Sequence, residues 1–173
     1  MFNRLPQKLR WGIEVDIYEF LERHEVNYRK VEHPPVFTCE EARELVPDLG
    51  AAETKNLFVK DKKGRNHFLL VIGYEKKVDL SALKTKLGVN NLSFCSPDRL
   101  MRFLGVEPGS VTILGLANDT ENAVKLVFDR DLWNEDCFGC HPLVNTATLV
   151  IDKQNLERFL GATGHEPMLL DLD

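Results

Sequence analysis

At 173 residues, 43% hydrophobic and 28% charged, the chain is sized for one compact domain that buries about two-thirds of its unfolded surface. Its 22 basic and 27 acidic side chains leave a net charge of -5, which argues against DNA coating and requires that any nucleic-acid partner be met by a local basic patch. No run reaches the roughly 18–20 apolar residues of a membrane helix, and Met1-Phe2-Asn3-Arg4-Leu5-Pro6 lacks an apolar signal core, so the expectation is a cytoplasmic protein without a membrane partner.

Residues 1–11 read as a peripheral extension. Ile13, Ile17, Phe20, Leu21 and His24 recur at helical spacing, predicting an amphipathic helix from Gly12 to Glu25, with a short strand at Tyr28–Glu32 to follow. Pro34-Pro35 forbids helix, and Thr38 with Glu41 has the form of a capping box opening a helix through Val46. Two β-prone runs, Asn56–Lys60 and His67–Ile72, flank Asp61-Lys62-Lys63-Gly64-Arg65 and predict a hairpin. Asp79 caps a helix to Leu87, stopped by Gly88, and Ser96-Pro97 opens another that ends near Gly105. Beyond the Pro108-Gly109 loop, Ala123–Phe128 and Ala147–Ile151 read as strands, Asp152 caps a helix to Leu160, and Met168–Leu170 is a last strand. The stretch Asp129–Asn145 carries no clear period and is rich in polar residues, which is where a site would sit. This irregular order fits one α+β unit with a mixed sheet and packed helices.

Cys137-Phe138-Gly139-Cys140-His141 matches the spacing of c-type haem attachment. The missing export signal argues against that reading, Cys39 and Cys95 stand too far away to complete a zinc site, and His141-Pro142 directly after Cys140 does not suit a redox pair at a helix start. The four cysteines therefore read as free thiols, with Cys137 and Cys140 partly buried in a loop, and no metal or organic cofactor is expected.

Three places offer chemistry, though each alone reads as readily as structure. Lys55-Asn56 sets a point charge beside a directional amide. The loop from Glu107 through Thr112 offers backbone amides where Gly109 permits close approach. His141 stands among Asn145, Thr146 and Thr148, and no nucleophile-elbow pattern accompanies it. Lys60, Lys62, Lys63 and Arg65 make the hairpin tip basic, either to follow a phosphate backbone or simply to solvate a turn.

The ordered set His33-Pro34-Pro35-Val36-Phe37-Thr38, Thr54-Lys55-Asn56-Leu57-Phe58, Pro108-Gly109-Ser110-Val111-Thr112 and Phe138 through Thr148 resembles the aminoacyl-tRNA editing family. That family includes the bacterial YbaK proteins, the insertion domain of prolyl-tRNA synthetases and the freestanding prolyl-tRNA editing proteins. The resemblance runs from about Glu14 to Asp171 and implies that residues 1–173 form a single editing domain, α+β, with a mixed, mainly antiparallel sheet. The chain is most similar to the freestanding deacylases that clear alanine from proline tRNA. It would act on mischarged tRNA(Pro), with prolyl-tRNA synthetase or the elongation machinery as passing partners.

The resemblance assigns catalysis to Lys55, Asn56, Gly109 and His141, with assistance from the substrate's ribose hydroxyl and no cofactor. Substrate binding falls to His33, Val36, Phe37, Thr38, Ser110, Val111, Thr112 and Asn145, with Phe37 in the elbow as the expected wall against larger side chains. Lys60, Lys62, Lys63 and Arg65 would hold the tRNA. One departure stands out: the family loop reads glycine, three residues, then proline, and here the fifth position is Ile113. A loosened loop, or a decayed site in a non-catalytic tRNA-binding module, is the alternative that this residue raises.

Overall fold

Asp16 opens the first helix by accepting from the backbone N–H groups of Tyr18 at 2.9 Å and Glu19 at 3.2 Å. A capping side chain holds its own residue extended, so helix α1 spans Ile17–Arg23 and begins later than the expected Gly12. The computed structural model describes residues 15–36, 41 and 44–172. The expected capping box at Thr38 lies outside them.

Strand β1 is Arg29–Glu32, and the predicted hairpin forms from β2, Thr54–Asp61, and β3, His67–Gly73. Gly64 at its tip has φ 65, a left-handed conformation that glycine adopts without steric penalty. Helix α2, Leu80–Lys86, is capped by Asp79, and α3, Pro97–Leu104, by Ser96, as expected. Between them lies β4, Leu92–Phe94. A 3-10 helix, Ile113–Asn118, precedes β5, Val124–Asp129; then come β6, Cys137–Cys140, and β7, Ala147–Asp152. Helix α4, Lys153–Thr163, runs past the expected Leu160, and β8 is Met168–Leu170.

The strands form two sheets. The larger has the order β4-β2-β3-β5-β8 and the smaller β1-β7-β6. Pairing is antiparallel except between β3 and β5 and between β5 and β8, so the fold is the expected mixed, mainly antiparallel α+β. Strand alternation divides the larger sheet's side chains between two cores. Phe58, Leu69, Val71, Leu126 and Phe128 join Phe138, Leu149 and Ile151 of the smaller sheet, together with residues of α1, α3 and α4. On the opposite face Val59, Phe68, Leu70 and Ile72 pack with Leu83 of α2 and Leu172.

Strand β6 corrects the expectation of a loop around the cysteines. Residues three apart on a strand face opposite sides, so Cys137 and Cys140 cannot converge on one ligand from this strand. Cys140 is buried in the main core, where desolvation pushes its thiol up to about 12. Among the described residues no helix is long and apolar enough to cross a membrane, and no three His, Cys, Asp or Glu side chains cluster to hold a metal.

Candidate active site

The two sheets meet where β2 begins. Ala52 donates to the carbonyl of Cys137 at 2.8 Å and accepts from the N–H of Gly139 at 3.1 Å. Thr54 Oγ1 adds a bond to the Gly139 carbonyl at 2.8 Å. Beside this seam opens a cavity of about 300 Å³, with Lys55 and Asn56 on one wall, Gly109 and Val111 on another, and Gly139, His141 and Thr148 on a third. Val36 and residues 46–49 close the remaining side. The expected catalytic set of Lys55, Asn56, Gly109 and His141, separated by up to 86 positions in sequence, thus shares one cavity.

Each arrives there for a local reason. Alternation along β2 gives Asn56 the face of Phe58, toward the main core, and Lys55 the face of Leu57, so the lysine reaches the cavity from its rim. Asn56 Oδ1 is buried and has no hydrogen-bond donor among the described residues. Gly109 is exposed with φ 86, in a turn closed by Ser110 N–H donating to Glu107 O at 3.0 Å. That positive φ would strain any side chain.

Two histidines organise the third wall. His141 Nδ1 lies 3.2 Å from the Ala147 carbonyl. Burial, and His33 beside it, hold its pKa below the ordinary 6.5 despite that hydrogen bond, so the ring is neutral at pH 7. The two rings meet edge to face with centroids 6.4 Å apart. His33 is bonded through Nδ1 to the Pro34 carbonyl at 2.9 Å and through Nε2 to Thr148 Oγ1 at 2.9 Å.

Other expected substrate residues stand behind the wall. His33 reaches the cavity only through Thr148. Ser110 and Thr112 are buried, and Thr112 Oγ1 caps the 3-10 helix by accepting from Leu114 N–H at 3.3 Å. Asn145 Nδ2 donates to the Val36 carbonyl at 3.2 Å and so positions a lining residue. Val36 and Val111 line the cavity directly, whereas Phe37 and Thr38 lie outside the described residues. Lys62, Lys63 and Arg65 are exposed at the far end of β2, and Lys60 is half-buried with its ammonium 3.3 Å from Ser93 Oγ. Six strand residues separate Lys55 from Asp61, about 20 Å. Thr148, Thr54 and Tyr74 also line the cavity without having been assigned a site role; only sheet pairing brings them there.

Ile113 has a structural reading. It is the first residue of the 3-10 helix, directly after the Thr112 cap, and is 2% exposed in the main core. That first position favours proline because its N–H has no intrahelical partner. The isoleucine supplies core packing in place of proline's preset φ, and the loop's anchor is intact.

Two sheets joined over a polar cavity, offering an ammonium, an amide and a neutral imidazole, define an editing-domain protein. Residues 33–159 match the model of the aminoacyl-tRNA editing domain, and the chain belongs to that family. It is 38% identical over 152 residues to the prolyl-tRNA editing protein ProX of Acetoanaerobium sticklandii, covering 88% of this chain and 93% of that one. It is 40% identical over 170 residues to prolyl-tRNA synthetase associated domain-containing protein 1 of Danio rerio, covering 97% and 90%. A solved structure described as a candidate trans-editing enzyme for prolyl-tRNA synthetase shares the fold, with a TM-score of 0.67, 20% identity and 98% coverage of both chains.

Proposed function

We propose that this protein is a freestanding deacylase that hydrolyses mischarged aminoacyl-tRNA, with alanine on tRNA(Pro) as its substrate. The observation that carries the reading is the gathering of Lys55, Asn56, Gly109 and His141 around one cavity of about 300 Å³. The names of the relatives point to the proline system. Prolyl-tRNA synthetase, which supplies mischarged tRNA, is the natural transient partner.

An aminoacyl ester is already labile, so the site has to orient water and stabilise an oxyanion without supplying a nucleophile of its own. Water, assisted by the neighbouring ribose hydroxyl, adds to the ester carbonyl. Lys55 offsets the charge on the oxyanion or the adjacent phosphate, and the Asn56 amide orients the carbonyl. Backbone groups of the Gly109 loop hold the water, and His141 shapes the amino-acid end. Collapse breaks the bond from the carbonyl carbon to the ribose oxygen, which takes up a proton, and alanine leaves as the carboxylate. A pocket of this size selects by excluding larger side chains.

Single-turnover deacylation of a panel of mischarged tRNAs tests the reading. Hydrolysis fastest on alanyl-tRNA(Pro) is the expected result. Binding without turnover would favour the non-catalytic module, a reading that Ile113 in its packed position does not support.

A further inference from the structure

Acceptors without donors line one side of the cavity. His33 Nδ1 faces the Pro34 carbonyl, which accepts only, so in the neutral ring Nδ1 carries the proton and Nε2 is a lone pair. Thr148 Oγ1, 2.9 Å from that Nε2, therefore spends its one proton on His33 and turns only lone pairs toward anything else. His141 repeats the logic, because donation from Nδ1 to the Ala147 carbonyl leaves Nε2 as the acceptor. Asn56 Oδ1, buried and without a donor, is a third acceptor whose demand is unmet. Asp48 and Glu53 line the same cavity against the single cation Lys55, so with His141 neutral the wall carries two negative charges to one positive.

We infer that this wall reads the α-ammonium group of the substrate: the cavity takes esters with a free amino group beside the carbonyl and discriminates against isosteric esters that lack it. An ammonium brings three N–H donors and one positive charge, matching three acceptors and the local excess of carboxylate. An ester without it leaves the buried acceptors unpaired, a penalty of about tenfold or more in rate. Thr148 is then a substrate-binding residue, and His33 is a positioning residue that acts through it by fixing the hydroxyl proton. The inference rests on the deacylase reading above and adds the chemistry that defines its substrate class.

Lactyl-tRNA(Pro), in which a hydroxyl replaces the amino group of alanyl-tRNA(Pro), is nearly isosteric and uncharged. Each single-turnover rate is divided by the same ester's rate in buffer, which removes the difference in intrinsic lability. The wild-type enhancement should be about tenfold or more larger on the alanyl ester. Thr148→Val should lower the alanyl enhancement toward the lactyl value while leaving lactyl nearly unchanged, and Thr148→Ser should restore the preference. His33→Ala should narrow the preference in the same direction, which a purely structural role would not do. Equal wild-type enhancement of both esters, or an equal fall of both in Thr148→Val, overturns the inference and leaves the deacylase reading standing. Enhancement of neither ester removes both. Should Thr148→Val fail to fold, the wild-type comparison of the two esters decides alone.

Discussion

Strand β2 carries polar groups at both ends, and the two ends treat them in opposite ways. At the hairpin end, Asp61 accepts from Asn66 Nδ2 at 2.8 Å and from the backbone N–H groups of Arg65 at 2.9 Å and Asn66 at 3.3 Å. The Asn66 side chain foremost, with those backbone donors, holds the carboxyl down at about 2. At the cavity end, Asn56 Oδ1 is buried with no donor, and the acceptors of Thr148 and His141 face open space. A satisfied polar group contributes stability, whereas an unsatisfied one costs stability and is retained where a ligand completes it. One strand therefore holds a structural end and a chemical end about 20 Å apart.

Substitutions should separate the two ends. Lys55→Ala should lower single-turnover deacylation by roughly a hundredfold, the scale of losing one oxyanion-stabilising donor, with an unchanged melting temperature. Asn56→Leu should cost about tenfold in rate while melting no lower than wild type, because it removes an unpaired buried oxygen. A clear loss of stability would move Asn56 to the structural class. Replacing Lys62, Lys63 and Arg65 together with alanine should weaken tRNA binding and reduce the log–log salt slope by about 2 to 3. Hydrolysis of a minimal alanyl-adenosine should not change, and slowed hydrolysis would join the two ends functionally.

Two pH effects are smaller. His141 has a depressed pKa and stays an unprotonated acceptor down through 6.5. The alanyl kcat/KM should therefore fall only below that pH, and His141→Asn should lack the limb. For Asp61 the folded pKa is lowered from 3.8 to about 2, so its stabilising contribution is present above 3.8 and lost as pH falls toward 2. Melting temperature followed over that window should drop in wild type and drop less in Asp61→Asn, with activity at pH 7 retained in both.

Local chemistry made much of the fold legible. Asp79, Ser96 and Asp152 each cap the helix that their side chains announce, and the β2–β3 hairpin follows from two β-prone runs around Gly64. Strand β6 was hidden because Cys137-Phe138-Gly139-Cys140 has little intrinsic β signal; its strand character comes from pairing with β7. At the site, the resemblance brought out Lys55, Asn56, Gly109 and His141. The bond from His33 to Thr148 spans 115 positions and depends on β1 lying beside β7, which no local pattern announces. Ser110 and Thr112 were drawn into the expected site by proximity to Gly109, but the 3-10 helix that follows takes Thr112 as its cap. The same helix explains Ile113, whose departure suggested a loosened loop until its place in the core was visible.

The central claim is that the cavity at the start of β2 receives the aminoacyl end of the substrate. A crystal structure of the protein with a non-hydrolysable 3'-alanylamido-adenosine tests it most directly. The account predicts the alanyl group between Asn56, Thr148 and His141, its ammonium within hydrogen-bonding distance of Thr148 Oγ1, and Lys55 beside the carbonyl or phosphate end. An analogue bound elsewhere on the molecule, with the cavity unfilled, would contradict it.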